Sequence, residues 1–271
     1  MAGVSSTWGQ VLAPEPQREA GNSVTGAFEG WFKNADGTYS LLLGYYNRNQ
    51  KQELDIPIGP NNRIDPGGPD RGQPTHFYPG RNWGLFAVQV PADFGDSKVN
   101  WTIVANGKTT VIPASLKTEY EISPYSEISV GNTPPVLSFE EKGQTVQGPH
   151  PFSTERSTKA GEPLALSVWV ADDTKWVSNT GARPKTMPPP VRVRWTKYRG
   201  PGPVTFSMER PAVTKIDRGG VAFAGTATTN ATFTEAGDYV LQVIVNDYSG
   251  DGGGGFQCCW TTGQVHVTVQ K

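Results

Sequence analysis

The chain is poor in the residue types that carry most metal and catalytic chemistry. Of its 271 residues, two are cysteine, three histidine and three methionine. The cysteines are adjacent, Cys258 and Cys259, so a bond between them joins no distant parts of the fold, and the disulfide framework of small secreted domains is excluded. His76, His150 and His266 are scattered, and none has the spacing of a zinc or copper ligand set. There is no Gly-x-Ser-x-Gly elbow, no His-Glu-x-x-His helix and no phosphate loop. An acid pair of the glycosidase type needs only about 5–10 Å between carboxylates in space, so the sequence leaves that chemistry open.

An excess of either charge is also missing. Lysine plus arginine number 24 against 25 aspartate plus glutamate, for a net charge of −1. No whole-protein field draws in nucleic acid, other polyanions or an anionic membrane. No run approaches the roughly 20 apolar residues of a membrane span, so no membrane insertion is expected. Met1-Ala2-Gly3-Val4-Ser5 has neither the basic nor the apolar region of a signal peptide.

Glycine (32), proline (23) and tryptophan (8) are abundant. Short alternating runs between glycine- and proline-rich turns predict an all-β chain of two tandem antiparallel sandwiches. Residues 1–24 show no period and read as an extended arm. Residues 25–131 read as a first sandwich. In it, Phe28–Phe32 and Tyr39–Tyr46 flank an Asp36-Gly37 turn, Phe86, Val88 and Val90 alternate, and Val99, Trp101 and Ile103 turn at Asn106-Gly107. The stretch Asn47 to Asn82 reads as a long loop, either functional or mobile. Thr133-Pro134-Pro135 reads as a stiff linker. Residues 132–271 read as a second sandwich whose inner face is built from Leu164, Leu166, Val168, Val170, Val191, Val193, Trp195, Tyr239, Leu241, Val243, Val245, Val265, Val267 and Val269.

Ala160–Val168, Val193–Phe206 and Ala231–Leu241 resemble the immunoglobulin-like PKD repeats of bacterial surface and secreted proteins. The resemblance covers about residues 133–271 and implies fold more than function. It implies that Trp195 lies on the third core strand and that Tyr239 forms a tyrosine corner. The long connection from Asp172 to Pro190 and the insertion from Ser249 to Gly263 depart from the pattern. The first half is similar to uncharacterised bacterial secreted proteins of no known activity.

In such a sandwich the loop after the second strand and the loop before the last emerge at one end. That end gathers Asp172, Asp173, Asp247, Asp251, Trp176, Phe256, Cys258, Cys259 and Trp260. The four aspartates suit calcium, which takes oxygen ligands, or they simply close turns onto their own backbone. Trp176, Phe256 and Trp260 beside the cysteine pair form a platform for a sugar face or a partner, or the inserted loop folds them inward as its own small core. In an oxidising compartment the cysteines form a vicinal disulfide; otherwise they pack under Trp260 as thiols.

The function expected from these features is non-catalytic: a secreted or cell-surface module that binds a protein or carbohydrate partner or serves as structure, with no cofactor unless calcium. One alternative is a self-assembling extracellular subunit, its arm adding a strand such as Ser6–Leu12 to a neighbour. Another is an accessory domain of a secreted hydrolase.

Overall fold

Every regular element among the described residues is a strand, apart from one 3-10 turn at Thr118–Tyr120. The computed structural model describes residues 16, 18–127, 130–176, 185–249 and 258–271.

In the N-terminal half, β1 (Val24–Lys33) and β2 (Tyr39–Asn47) form a hairpin, closed by the Asn34 amide donating to the Thr38 carbonyl at 2.9 Å. Two short strands, β3 (Leu54–Asp55) and β4 (Asn62–Asp65), and then β5 (His76–Phe77) occupy the stretch expected to be irregular. The long β6 (Gly80–Val90) completes a β1-β2-β6 sheet. A second hairpin, β7 (Val99–Ala105) and β8 (Lys108–Ala114), turns through Asn106 and Gly107 at φ 50° and 71°, the left-handed pair that a two-residue hairpin turn requires. With β4 it makes a β4-β7-β8 sheet. Leu41, Leu43, Tyr45, Phe86 and Val88 bury their side chains with Ile64, Trp101 and Ile103, so the period of two expected from sequence fills the core.

The C-terminal half contains β9 (Val136–Ser138), β10 (Ser153–Lys159), β11 (Leu164–Asp172), β12 (Arg192–Arg199), β13 (Val204–Phe206), β14 (Thr214–Lys215), β15 (Phe223–Phe233), β16 (Gly237–Asn246) and β17 (Trp260–Gln270). One sheet runs β13-β15-β11-β9, with β14 also on β15; the other runs β10-β17-β16-β12. Among the described strands, β10 and β17 alone pair in parallel. This is the strand order of an immunoglobulin-type sandwich. The alternating valines and leucines face each other across it, and Trp195 on β12 is fully buried. The Tyr239 hydroxyl donates to the Glu235 carbonyl at 2.9 Å and accepts from the Gly202 amide at 3.2 Å, the geometry of a tyrosine corner.

Three features differ from the beads-on-a-string picture. First, the expected arm is attached to its own half from Arg18 onward: the Gln50 amide donates to the Arg18 carbonyl, and the buried Asn22 side chain donates to the Pro16 and Arg48 carbonyls. The Ser6–Leu12 stretch lies outside the described residues. Second, the Pro-rich linker is clamped. Asn132, Pro134 and Pro135 are buried, the Pro134 carbonyl accepts from Gln147 and the Pro135 carbonyl from Thr261.

Third, the halves interlock. Arg199 grips Asp70 with two guanidinium nitrogens at 2.8 and 2.9 Å and also donates to the Gln73 carbonyl. Tyr198, from the C-terminal half, belongs to the N-terminal core, and its hydroxyl donates to the Gly72 carbonyl at 2.6 Å. Lys197, 4% exposed at its side chain, donates to Asp55 at 3.0 Å. Burial works to raise the Asp55 carboxyl, but the bonds from His76 and Lys197 outweigh it and leave it below its ordinary value. Thus the part of the outer face of β12 and β16 that carries Thr196, Lys197 and Gln242 is an internal surface.

Candidate functional site

At one end of the C-terminal sandwich, β11 stops at Asp172, β16 hands over to Asp247, and the disulfide precedes β17. The end of the linker enters the same place through Asn132, whose amide nitrogen donates to Asp247 Oδ2 at 2.6 Å. Trp176 meets Tyr248 edge to face at 5.2 Å between ring centres, so the two long connections do emerge together.

Each described aspartate closes a turn onto the backbone two residues ahead. Thr174 N donates to Asp172 Oδ2 at 2.7 Å, Lys175 N to Asp173 Oδ1 at 3.0 Å, and Ser249 N to Asp247 Oδ1 at 2.8 Å. Turn closure uses one oxygen of each. Asp173 spends its other oxygen on Thr133, through the backbone N–H and the hydroxyl, and pairs with Lys175 Nζ at 3.5 Å. Among the described residues, Asp172 Oδ1 has no hydrogen-bond partner, nor has Asn132 Oδ1, and both are buried.

Asp172 and Asp247 are nearly out of solvent, at 6% and 1% exposure. Burial, followed by the charges of Asp247 and Asp173, pushes Asp172 up to about 7 against the bond from Thr174. Asp247 is also raised by burial, opposed by bonds from Ser249 and Asn132. Two carboxylates that resist ionisation, beside the unbonded oxygens of Asp172 and Asn132, form a site that a hard cation would neutralise. Among the described residues, no three His, Cys, Asp or Glu side chains are grouped as a metal site. A calcium ion here would therefore need amide and carbonyl oxygens beside the two carboxylates. Asp251 lies outside the described residues.

Cys258 and Cys259 are joined by a vicinal disulfide across a cis peptide bond. The Cys259 amide donates to Ser249 Oγ at 2.8 Å, and that hydroxyl donates to Asp247 Oδ1 at 2.5 Å. Cys259 Sγ lies 3.6 Å from the Asn132 carbonyl oxygen. The cysteine pair therefore braces the aspartate end from behind.

Of the platform residues, Trp260 and the cysteine pair are turned inward. Trp260 is 2% exposed and both cysteines are equally covered. The Trp260 ring packs with Phe32 and Leu42, and with partly buried Ile122, Tyr125 and Ile244, while its indole nitrogen donates to the Gly84 carbonyl at 3.1 Å. Trp260 turns inward, onto the N-terminal half. Trp176 is half-buried, and its indole nitrogen has no partner among the described residues. Phe256 lies outside the described residues.

Sequence reasoning missed the group that receives Trp260. Glu29, its side chain 1% exposed, accepts from Arg81 Nη2 and the Gly84 amide, both at 2.7 Å. Burial raises the Glu29 carboxyl, and Arg81 opposes this. The available signal was glycine inside a strand run, at Gly84, which marks a close approach.

No family model matches the sequence, and no curated protein matches it. Solved structures with some likeness include a glycoside hydrolase of family 123 from Clostridium perfringens, at 11% identity and TM-score 0.23, covering 44% of this chain and 23% of that one. Domains 4 and 5 of the S-layer protein SbsC align at 12% identity and TM-score 0.24, over 92% of this chain and 98% of that one. An endo-fucoidan hydrolase of glycoside hydrolase family 107 aligns at 11% identity and TM-score 0.26, over 94% and 27%. The chain spans about a quarter of the length of either hydrolase. At such TM-scores these likenesses assign neither fold nor function.

Proposed function

We propose that the protein is a non-catalytic extracellular module, secreted or held at a cell surface, whose C-terminal sandwich binds one calcium ion at its Asp172–Asp247 end. The observation that carries this reading is the pair of buried carboxylates, with Asp172 Oδ1 and Asn132 Oδ1 left unbonded. Asp172, Asp247 and Asn132 would hold the ion, and its charge would remove the penalty of burying two acids together. Asp173, which already has Thr133 and Lys175, orients the loop. The vicinal disulfide supports the extracellular part of the reading, because such bonds persist in oxidising compartments.

The role of calcium here is structural. It ties the linker, the loop after β11 and the loop before β17 into one end, behind which Trp260 anchors the N-terminal half. Isothermal titration of calcium into EGTA-stripped protein tests the site. The expected result is one site per chain, with affinity lost in Asp172→Asn and Asp247→Asn and magnesium binding more weakly. Absence of calcium binding by the wild type rejects it.

A further inference from the structure

The net charge of −1 conceals a local excess of arginine. Arg192 and Arg194 on β12 and Arg210 beyond β13 line a cavity of about 280 Å³ floored by Val191 and Val213. Arg194 and Asn246 also line a smaller cavity of about 20 Å³, whose far wall is Arg81 and Trp83. Arg194 and Asn246 line both cavities, which adjoin there as a groove. Among the described residues, none of Arg192, Arg194 and Arg210 forms an ion pair, and Arg194 Nε is buried with no hydrogen-bond partner.

Trp83 is the aromatic end of this groove. It keeps 40% of its surface exposed, the only tryptophan among the described large hydrophobic side chains that does so. The Arg81 guanidinium stands 3.8 Å from its ring centre and is itself fixed by Glu29 and by the Tyr45 and Asn82 carbonyls. One face of the indole is thus held by a cation that cannot swing away, and the exposed remainder is presented to solvent. A rigid exposed indole stacks on the apolar face of a sugar ring, and guanidinium groups bind carboxylate or sulfate with paired hydrogen bonds.

We propose that this groove binds an anionic glycan, with Trp83 stacked on one sugar ring and Arg194 and Arg210 holding carboxylate or sulfate groups on its neighbours. None of Asp172, Asp173 and Asp247 lines either cavity, so the proposal needs no calcium, although Asn246 of the groove precedes Asp247 in the chain. Near-zero net charge argued against a whole-protein pull on polyanions; the attraction here is confined to one groove and needs the stacked ring as well.

The full-length protein is titrated, in EGTA to exclude calcium bridging, with sodium polygalacturonate, dextran sulfate, neutral dextran and poly-L-glutamate, and followed by calorimetry and tryptophan fluorescence. One or both anionic polysaccharides are expected to bind, the pair telling carboxylate from sulfate, and neutral dextran is not. Affinity is expected to fall about tenfold or more in each of Arg194→Gln, Arg210→Gln and Trp83→Ala, with Trp83→Phe retaining part of it and every variant keeping the wild-type melting temperature. The proposal is overturned if neither anionic polysaccharide binds, if binding ignores these substitutions, or if poly-L-glutamate binds as tightly, which would make the groove a peptide site or a mere charge patch.

Discussion

Trp260 donates its indole N–H to the carbonyl of Gly84, 176 positions earlier in the chain, across the junction between the two halves. A Cβ on Gly84 would overlap the Trp260 ring, and Gly84 itself sits at φ 51°. Glu29 then holds the Gly84 amide from the opposite side. One glycine thus fixes both the ring from one half and the carboxylate of the other.

Gly84→Ala is expected to destabilise by about 2–4 kcal/mol, since it adds overpacking to an unfavourable backbone conformation. Trp260→Phe should cost about 1–3 kcal/mol by leaving the Gly84 carbonyl buried without its donor. Urea denaturation measures both. A neutral Gly84→Ala would mean that the junction is looser than described.

The interlock also predicts cooperative unfolding. Arg199–Asp70, Lys197–Asp55 and the bond from Gln242 to the Leu85 carbonyl at 2.7 Å tie the halves along their length. Heating should therefore give one transition by calorimetry, with Arg199→Ala and Lys197→Ala lowering it and not splitting it. Two resolved transitions in the wild type would contradict the interlock.

The buried faces of both halves were legible because valine and leucine alternate there with a period of two. The outer face of β12 and β16 was not legible, since Thr196, Lys197 and Gln242 read as solvent-facing positions. The N-terminal half covers them: it offers Asp55 to the Lys197 ammonium and the Leu85 carbonyl to the Gln242 amide, while the Thr196 hydroxyl donates to the Gln242 carbonyl within its own sheet. Asn132 was hidden for a related reason: beside Pro134 and Pro135 it reads as linker, whereas its amide is spent on Asp247. The aspartate cluster itself was visible, because strand direction alone brings Asp172 and Asp247 to one end. The inward turn of Trp260 depended on a partner surface, Gly84, that no local pattern announces.

The acids set a pH dependence. Asp172 is raised to about 7 in the folded chain from an ordinary value of 3.8. The folded state therefore holds a proton that the unfolded state has released. Metal-free protein should be most stable below about pH 4 with respect to this group and lose on the order of 2–4 kcal/mol as pH rises towards 7. Asp172→Asn should flatten that slope in chemical denaturation measured across pH 4–8; an unchanged slope would show that Asp172 does not cause it.

The cysteine pair closes no long loop, so removing it should cost little global stability, about 1 kcal/mol. Its effect should be local, because the Cys259 amide positions Ser249 and Ser249 holds Asp247. Cys258→Ser with Cys259→Ser is expected to weaken calcium binding by about tenfold while shifting the melting temperature by only a few degrees. Thiol titration of the unreduced protein should find no free cysteine. Equal calcium affinity in the double variant would separate the disulfide from the site.

The central claim is that the aspartate end is a calcium site, and melting temperature with and without the ion tests it most directly. With calcium at about 100 times its dissociation constant, binding to the folded state alone adds about 2.7 kcal/mol, which should raise the transition by about 5–10 °C over EGTA. The rise should vanish in Asp247→Asn. A melting temperature that calcium leaves unchanged in the wild type would contradict the account.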